Sequence, residues 1–252
     1  MTVWAIGDLH LALGVPEKSM EEFGEPWIGY TQHIQKEWVE RVKPDDLVLI
    51  PGDISWATHP EHAKIDLDWI HALPGTKVIL RGNHDYWWTS LSKISKIMPP
   101  SIHVIQNNAF HWKNIGIAGT RLWDIPGLSF KELIDYKPNP KAKEIPGSEV
   151  DLEETQRLYE RELLRLEMSL KCLTKEDQIR IAMIHYPPLG PNMADTEVTK
   201  LLEKYKVNIC LFGHLHNLKK ERTLFGEKNG VNYILTAADY IDFKPIKVME
   251  AT

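Results

Sequence analysis

Six short apolar runs punctuate this chain: Val3–Ile6, Leu47–Ile50, Val78–Leu80, Ile115–Ala118, Ile181–Ile184 and Ile209–Phe212. Most are followed at once by glycine and polar residues. Their length and flanking glycines fit buried strands better than helix fragments. Helical patterns lie between several of them. Thr31 is placed to cap a helix with Ile34, Trp38 and Val42 on its inner face. Thr58 and Glu61 form a capping box, with Pro60 early in a helix carrying Ala63, Leu67 and Ile70, and Pro74-Gly75 as its stop. The longest pattern runs from about Asp151 to Leu173, with Leu152, Tyr159, Leu163, Leu166, Leu170 and Leu173 in one stripe. Strand, helix and strand in this order predict an α/β fold with right-handed crossovers and an at least partly parallel sheet.

The 252 residues are 43% hydrophobic and 26% charged, enough to bury a core without disulfides or a structural metal. Any metal site is therefore expected to serve chemistry. The segments Leu11–Tyr30 and Tyr136–Gly147 read as loops, the lysines of the second as a solvated face, and neither as an interdomain linker. A single domain over residues 1–252 is expected. With 30 basic and 35 acidic residues the net charge is −5, which argues against a general nucleic-acid binder. Cys172 and Cys210 read as reduced, packed thiols of a cytoplasmic protein. No signal-peptide pattern opens the chain, and no apolar run nears the roughly 20 residues that span a bilayer.

The chemistry-bearing residue types fall at the ends of the apolar runs. Asp8-Leu9-His10 follows the first, Gly52-Asp53-Ile54-Ser55 the second and Gly82-Asn83-His84-Asp85 the third. His185 and then Gly213-His214-Leu215-His216 follow the last two. Parallel strands bring their C-terminal ends to one sheet edge, so these blocks can converge. Imidazole nitrogen and carboxylate oxygen suit zinc, iron, manganese or nickel rather than calcium. The set has more donors than one tetrahedral ion takes up. It suffices for two ions if one aspartate is shared. A lone histidine reads most simply as packed or surface. Five of the 11 histidines in one ordered series do not, while His33, His59, His62, His71, His103 and His111 keep the plain reading.

The order Asp-x-His, Gly-Asp, Gly-Asn-His-Asp, His, Gly-His-x-His, from Asp8 to His216, resembles the calcineurin-like metallophosphoesterases. The resemblance implies a sandwich of two mixed β-sheets flanked by α-helices. It implies that Asp8, His10, Asp53 and His216 hold one transition-metal ion, and that Asp53 bridges to a second held also by Asn83, His185 and His214. The ions would be divalent or trivalent manganese, iron, zinc, nickel or cobalt, with manganese or iron favoured. It further implies hydrolysis of a small phosphomonoester or phosphodiester by a metal-bridging hydroxide, with His84 as general acid. Many members carry an aspartate three residues after the bridging one, where this chain has Trp56; that leaves open what orients His84.

Among the other residues, Arg121 in Gly-Thr-Arg-Leu-Trp is a candidate phosphate clamp, with a structural salt bridge as the alternative. Arg81 reads as structural. Trp56, Trp87, Trp88 and Trp123 read as core or as a wall under the metals. Trp27 and Tyr30 are candidates for a substrate lip. Two other functions compete with small-ester hydrolysis: a nuclease, and a scaffold that kept the fold without the chemistry. Steep salt dependence of DNA cleavage would favour the first, and near-zero bound metal the second.

Overall fold

The computed structural model describes residues 1–135, 152–219 and 225–251. The expected loop Tyr136–Gly147 and the start of the long helix at Asp151 lie outside those residues. Eleven strands are described: β1 (Thr2–Ala5), β2 (Leu47–Ile50), β3 (Thr76–Leu80), β4 (Ile102–Ile105), β5 (Ala109–Trp112), β6 (Ile115–Thr120), β7 (Ile179–Ile184), β8 (Ile209–Phe212), β9 (Glu227–Lys228), β10 (Val231–Leu235) and β11 (Ile246–Glu250). The α-helices are α1 (Tyr30–Arg41), α2 (Pro60–Ala72), the one-turn α3 (Leu91–Ile94), α4 (Leu152–Leu170) and α5 (Glu197–Lys204).

The strands form two mixed sheets, ordered β11-β1-β2-β3-β4 and β5-β6-β7-β8-β10-β9. The central strands of each run parallel, and β11, β5 and β9 pair antiparallel at the margins. Val3, Leu49 and Val78 of one sheet pack against Ile117, Met183 and Leu211 of the other. On the outer face of the first sheet lie Ile34 and Trp38 of α1 with Leu67 and Ile70 of α2. On the outer face of the second lie Leu166 and Leu170 of α4 with Val198 and Leu202 of α5. Helices therefore cover both outer faces of a sheet-on-sheet core, which is why the inner strands read as uninterrupted apolar runs. Among the described residues no helix is long and apolar enough to cross a membrane.

Each of the six apolar runs lies in a strand, displaced at β1 by one residue to Thr2–Ala5. Both helix starts differ from expectation. Gly29, in a left-handed conformation, precedes α1, so Thr31 lies inside the helix. His59 is the N-cap of α2 and makes no side-chain cap, so the Thr58–Glu61 box does not form. Thr31 lies two residues too late and Thr58 one residue too early for the N-cap position, so neither stands where a side chain caps the first free amides. Cys210 is buried as expected, whereas Cys172 is exposed just past the end of α4.

The two sheets meet at the C-terminal ends of their parallel strands. Gly7 N–H donates to Thr236 O at 2.7 Å, and Ala238 N–H donates to Gly7 O at 3.1 Å. This short parallel bridge ties the segment after β1 to the segment after β10. Blocks borne by different sheets are thereby brought to one rim.

Candidate metal centre

The segments leaving β1 and β2 stay paired after the strands end. Asp8 N–H donates to Gly52 O at 3.0 Å, His10 N–H to Asp53 O at 2.9 Å, and Leu11 N–H to Ile54 O at 2.9 Å. Asp8, His10 and Asp53 have φ of 53°, 44° and 49°, and His214 has 72°. Left-handed backbone costs residues with a Cβ on the order of 1–3 kcal/mol each. Here the paired segments hold it, and it turns the side chains inward. Glycines let the blocks approach: a Cβ at Gly82 would collide with Asp53, and one at Gly213 with the Asp8 carboxylate.

The result is one cluster. His10 Nε2 lies 3.1 Å from His216 Nε2, and Asp8 Oδ1 lies 3.8 Å from both His216 Nε2 and His185 Nδ1. Asp53 Oδ2 faces His10 Nε2 at 3.6 Å on one side and His185 Nε2 at 3.4 Å on the other. Beyond it, Asn83 Oδ1 lies 2.6 Å from His185 Nε2 and 3.0 Å from His214 Nδ1. Asp8, His10, Asp53 and His185 are all at most 2% exposed. All seven expected ligand residues are therefore brought together, with Asp53 between the two halves.

The donor set fits cations. His185 Nδ1 is 3.0 Å from the Pro51 carbonyl, so its proton belongs there and a lone pair is left on Nε2. That lone pair then faces the lone pairs of Asn83 Oδ1, an arrangement a cation between them would turn from repulsive to binding. Asp8 Oδ2 and His10 Nδ1 are buried without a hydrogen-bond partner. Burial, with Asp53 adding to it, raises the Asp8 carboxyl well above the usual range. Burial and the neighbouring imidazoles press His10 well below its own. Two triads, Asp8–His10–His216 and Asp8–Asp53–His185, each have ligand atoms within 4.8 Å of one another. A buried concentration of carboxylates and imidazoles of this kind is what a bound cation stabilises.

His84 stands beside the cluster. Its backbone N–H donates to Asp53 Oδ1 at 2.8 Å. Its ring is 4.4 Å from that of Trp56, which also stacks on His10 at 5.1 Å, and the Tyr86 hydroxyl is 3.4 Å from its Nδ1. An indole wall and a phenol occupy the surroundings of this imidazole, with Trp56 at the aspartate's usual place in the sequence. Burial lowers its pKa, opposed by Asp53. Arg121 lies near enough for its charge to act on Asp53 and His185. Its guanidinium also stacks 4.6 Å from the Trp123 ring, and its Nη2 is 3.9 Å from Glu162. The guanidinium is thus engaged by Glu162 and Trp123 while its charge is felt at the cluster.

Trp27 and Tyr30 do not form an exposed lip. Each is 2% exposed. Trp27 packs edge-on to His10 and His216, and the Tyr30 hydroxyl donates to His10 O at 2.7 Å. The segment folds inward because its aromatics bury against Phe243. Trp87 and Trp88 are core.

Two supporting carboxylates are given no role by the sequence: Asp85, although it closes the Gly-Asn-His-Asp block, and Asp239. Asp85 accepts from the Ile54, Ser55 and Gly82 amides at 2.9, 3.1 and 2.8 Å, locking the second and third blocks together. Burial and Asp53 push its carboxyl up to about 7. Asp239 accepts from His216 Nδ1 at 2.8 Å and from the Asn217 amide at 2.8 Å. Burial alone would lower His216, yet Asp239, Asp8 and Asp53 push it up to about 9. Asp239 follows β10 at a distance: Thr236, Ala237 and Ala238 separate it from the strand end, so no polar block directly after an apolar run marks it.

A profile of the calcineurin-like phosphoesterases matches residues 1–218. The Gene 66 protein of Mycobacterium phage D29 is 34% identical over 86 residues, 33% of this chain and 40% of that protein. The chain is thus matched to well under half of that relative's length. Among solved structures, phosphopantetheinyl hydrolase PptH from Mycobacterium tuberculosis superposes with a TM-score of 0.55 at 16% identity, over 97% of this chain and 95% of that one. A protein of unknown function from Aquifex aeolicus gives 0.50 at 17%, over 98% and 95%. At such identities the structural likenesses speak for the fold.

Proposed function

The chain belongs to the calcineurin-like phosphoesterase family, and from that premise we propose that it hydrolyses a phosphomonoester or phosphodiester at the cluster between its two sheets. The observation that supports this most is the position of Asp53, whose Oδ2 faces His10 on one side and His185 on the other. In this reading Asp8, His10, Asp53 and His216 hold one metal ion, while Asp53, Asn83, His185 and His214 hold another. Manganese or iron suits the mixed imidazole and carboxylate set. Two such ions, when bound, polarise the phosphoryl oxygens and acidify water.

The chain's own residues do the rest. Arg121, whose positive charge acts on Asp53 and His185, is the candidate clamp for a phosphoryl group at the cluster. His84, its backbone fixed by Asp53 and its ring held between Trp56 and Tyr86, gives its proton to the leaving oxygen. Burial favours release of that proton. Trp56 and Trp27 shield His10 from bulk water, which strengthens each electrostatic contact in the site.

Manganese-supplied protein is expected to hydrolyse an aryl phosphate or its diester, to lose that activity on chelation and to regain it when manganese returns. Full activity in the presence of excess chelator, or no hydrolysis with metal supplied, would contradict the reading.

A further inference from the structure

Beside His214, where the candidate ligands end, a cavity of about 460 Å³ opens. Its walls come from the segment after β6, from Pro187 and Leu189 after β7, and from the first turn of α4. Carbon dominates the lining: Trp123, Ile125, Leu128, Phe130, Ile134 and Leu189 all face it. Leu152, also on the lining, is 72% exposed at the rim. The cavity is continuous with the cluster through a series of rings. Tyr186 packs 4.1 Å from His214 and 5.4 Å from Trp123, whose own ring carries the Arg121 guanidinium. One end therefore offers imidazoles and positive charge, and the other offers hydrocarbon. The volume falls in the range of small-molecule sites, which bury an apolar body and fix it by a few polar groups at one end.

The geometry points to this cavity as the receptor for an apolar organic arm of the substrate, so that the favoured ester is an alkyl, acyl-chain or aryl phosphate rather than a sugar phosphate or nucleotide. The inference rests on the phosphoesterase reading of the cluster for the position of the phosphate. A sugar or nucleobase in the same place would leave most of its donors and acceptors facing carbon, at a cost in binding. Among the described lining residues, Asp124 and Lys131 are the charged ones.

Binding of non-hydrolysable n-alkylphosphonates, methyl to octyl, to manganese-loaded protein tests this by calorimetry. Affinity is expected to rise roughly threefold to fourfold for each buried methylene until the cavity is full. Thr155→Trp, on the α4 wall, and Ser129→Trp, on the exposed segment after β6, should each flatten the series while leaving methylphosphonate affinity unchanged. Equal affinity for ethyl- and octylphosphonate, no binding by any of them, or a series unaltered in both variants would overturn the proposal. Aryl phosphate hydrolysis, assayed in parallel, separates it from the reading it rests on. Hydrolysis without the chain-length series removes the cavity's role alone. The series without hydrolysis keeps that role and removes the phosphoesterase reading.

Discussion

At the scale of single residues, the cluster depends on groups that point ligands as well as on the ligands. Asp239 holds the Nδ1 proton of His216 and so leaves Nε2 to face His10. Carboxylate partners of this kind typically tune metal affinity 10- to 100-fold. Asp239→Asn is therefore expected to weaken binding at the His10–His216 half by about that factor, read by competition with a chromogenic chelator; an unchanged affinity would remove Asp239 from this role. His84 differs, since it stands beside the ligands. His84→Ala should lower kcat roughly 10²- to 10⁴-fold with metal content unchanged, and equal turnover would exclude it as the acid. Asp8, His10, Asp53 and the later histidines are legible in the sequence because each directly follows an apolar run. The neighbours of His84 are not. Tyr86 meets it through the tight turn in which its amide donates to the His84 carbonyl, and the Trp56 ring reaches it from the segment after β2, whereas spacing marks only that Trp56 stands where an aspartate is usual.

Secondary-structure elements were legible in proportion to how completely they are buried. β2, β3, β6, β7 and β8 lie inside their sheets, covered on both faces, and read as continuous apolar runs. β4, β5 and β11 lie at or next to sheet margins with exposed or half-exposed positions, so polar residues interrupt their patterns. Helix interiors followed from periodicity, whereas their first residues depended on backbone turns at Gly29 and His59. Contact between elements also buries Lys77 of β3. It is 1% exposed, and its Nζ donates to the Leu73 carbonyl and, at 3.4 Å, to that of His71 at the end of α2. Burial lowers its pKa to about 8, against 10.5 for the free side chain. Between those values the unfolded chain holds more protons than the folded one, so this residue's contribution to stability rises with pH. Urea unfolding of the wild type and Lys77→Met should show a wild-type-minus-variant difference that grows from pH 8 to 10.5. A constant difference would contradict the assignment.

At the scale of the whole molecule, the site exists because two sheets pack face to face and meet at the bridge between Gly7 and Ala237. Asp8, Asp53 and Asn83 follow strands of one sheet, while His185, His214 and Asp239 follow strands of the other. Neither sheet carries a complete set. The sequence motifs announce the residues, but their division between two layers, and the apolar cavity beside His214, emerge only from the packing. The central claim is that this junction holds two cations about a shared Asp53 carboxylate. Anomalous diffraction from crystals of manganese-loaded protein tests it most directly. Two peaks are expected, one among Asp8, His10 and His216 and one among Asn83, His185 and His214, with Asp53 between them. A single peak, or none within reach of Asp53, would contradict the account.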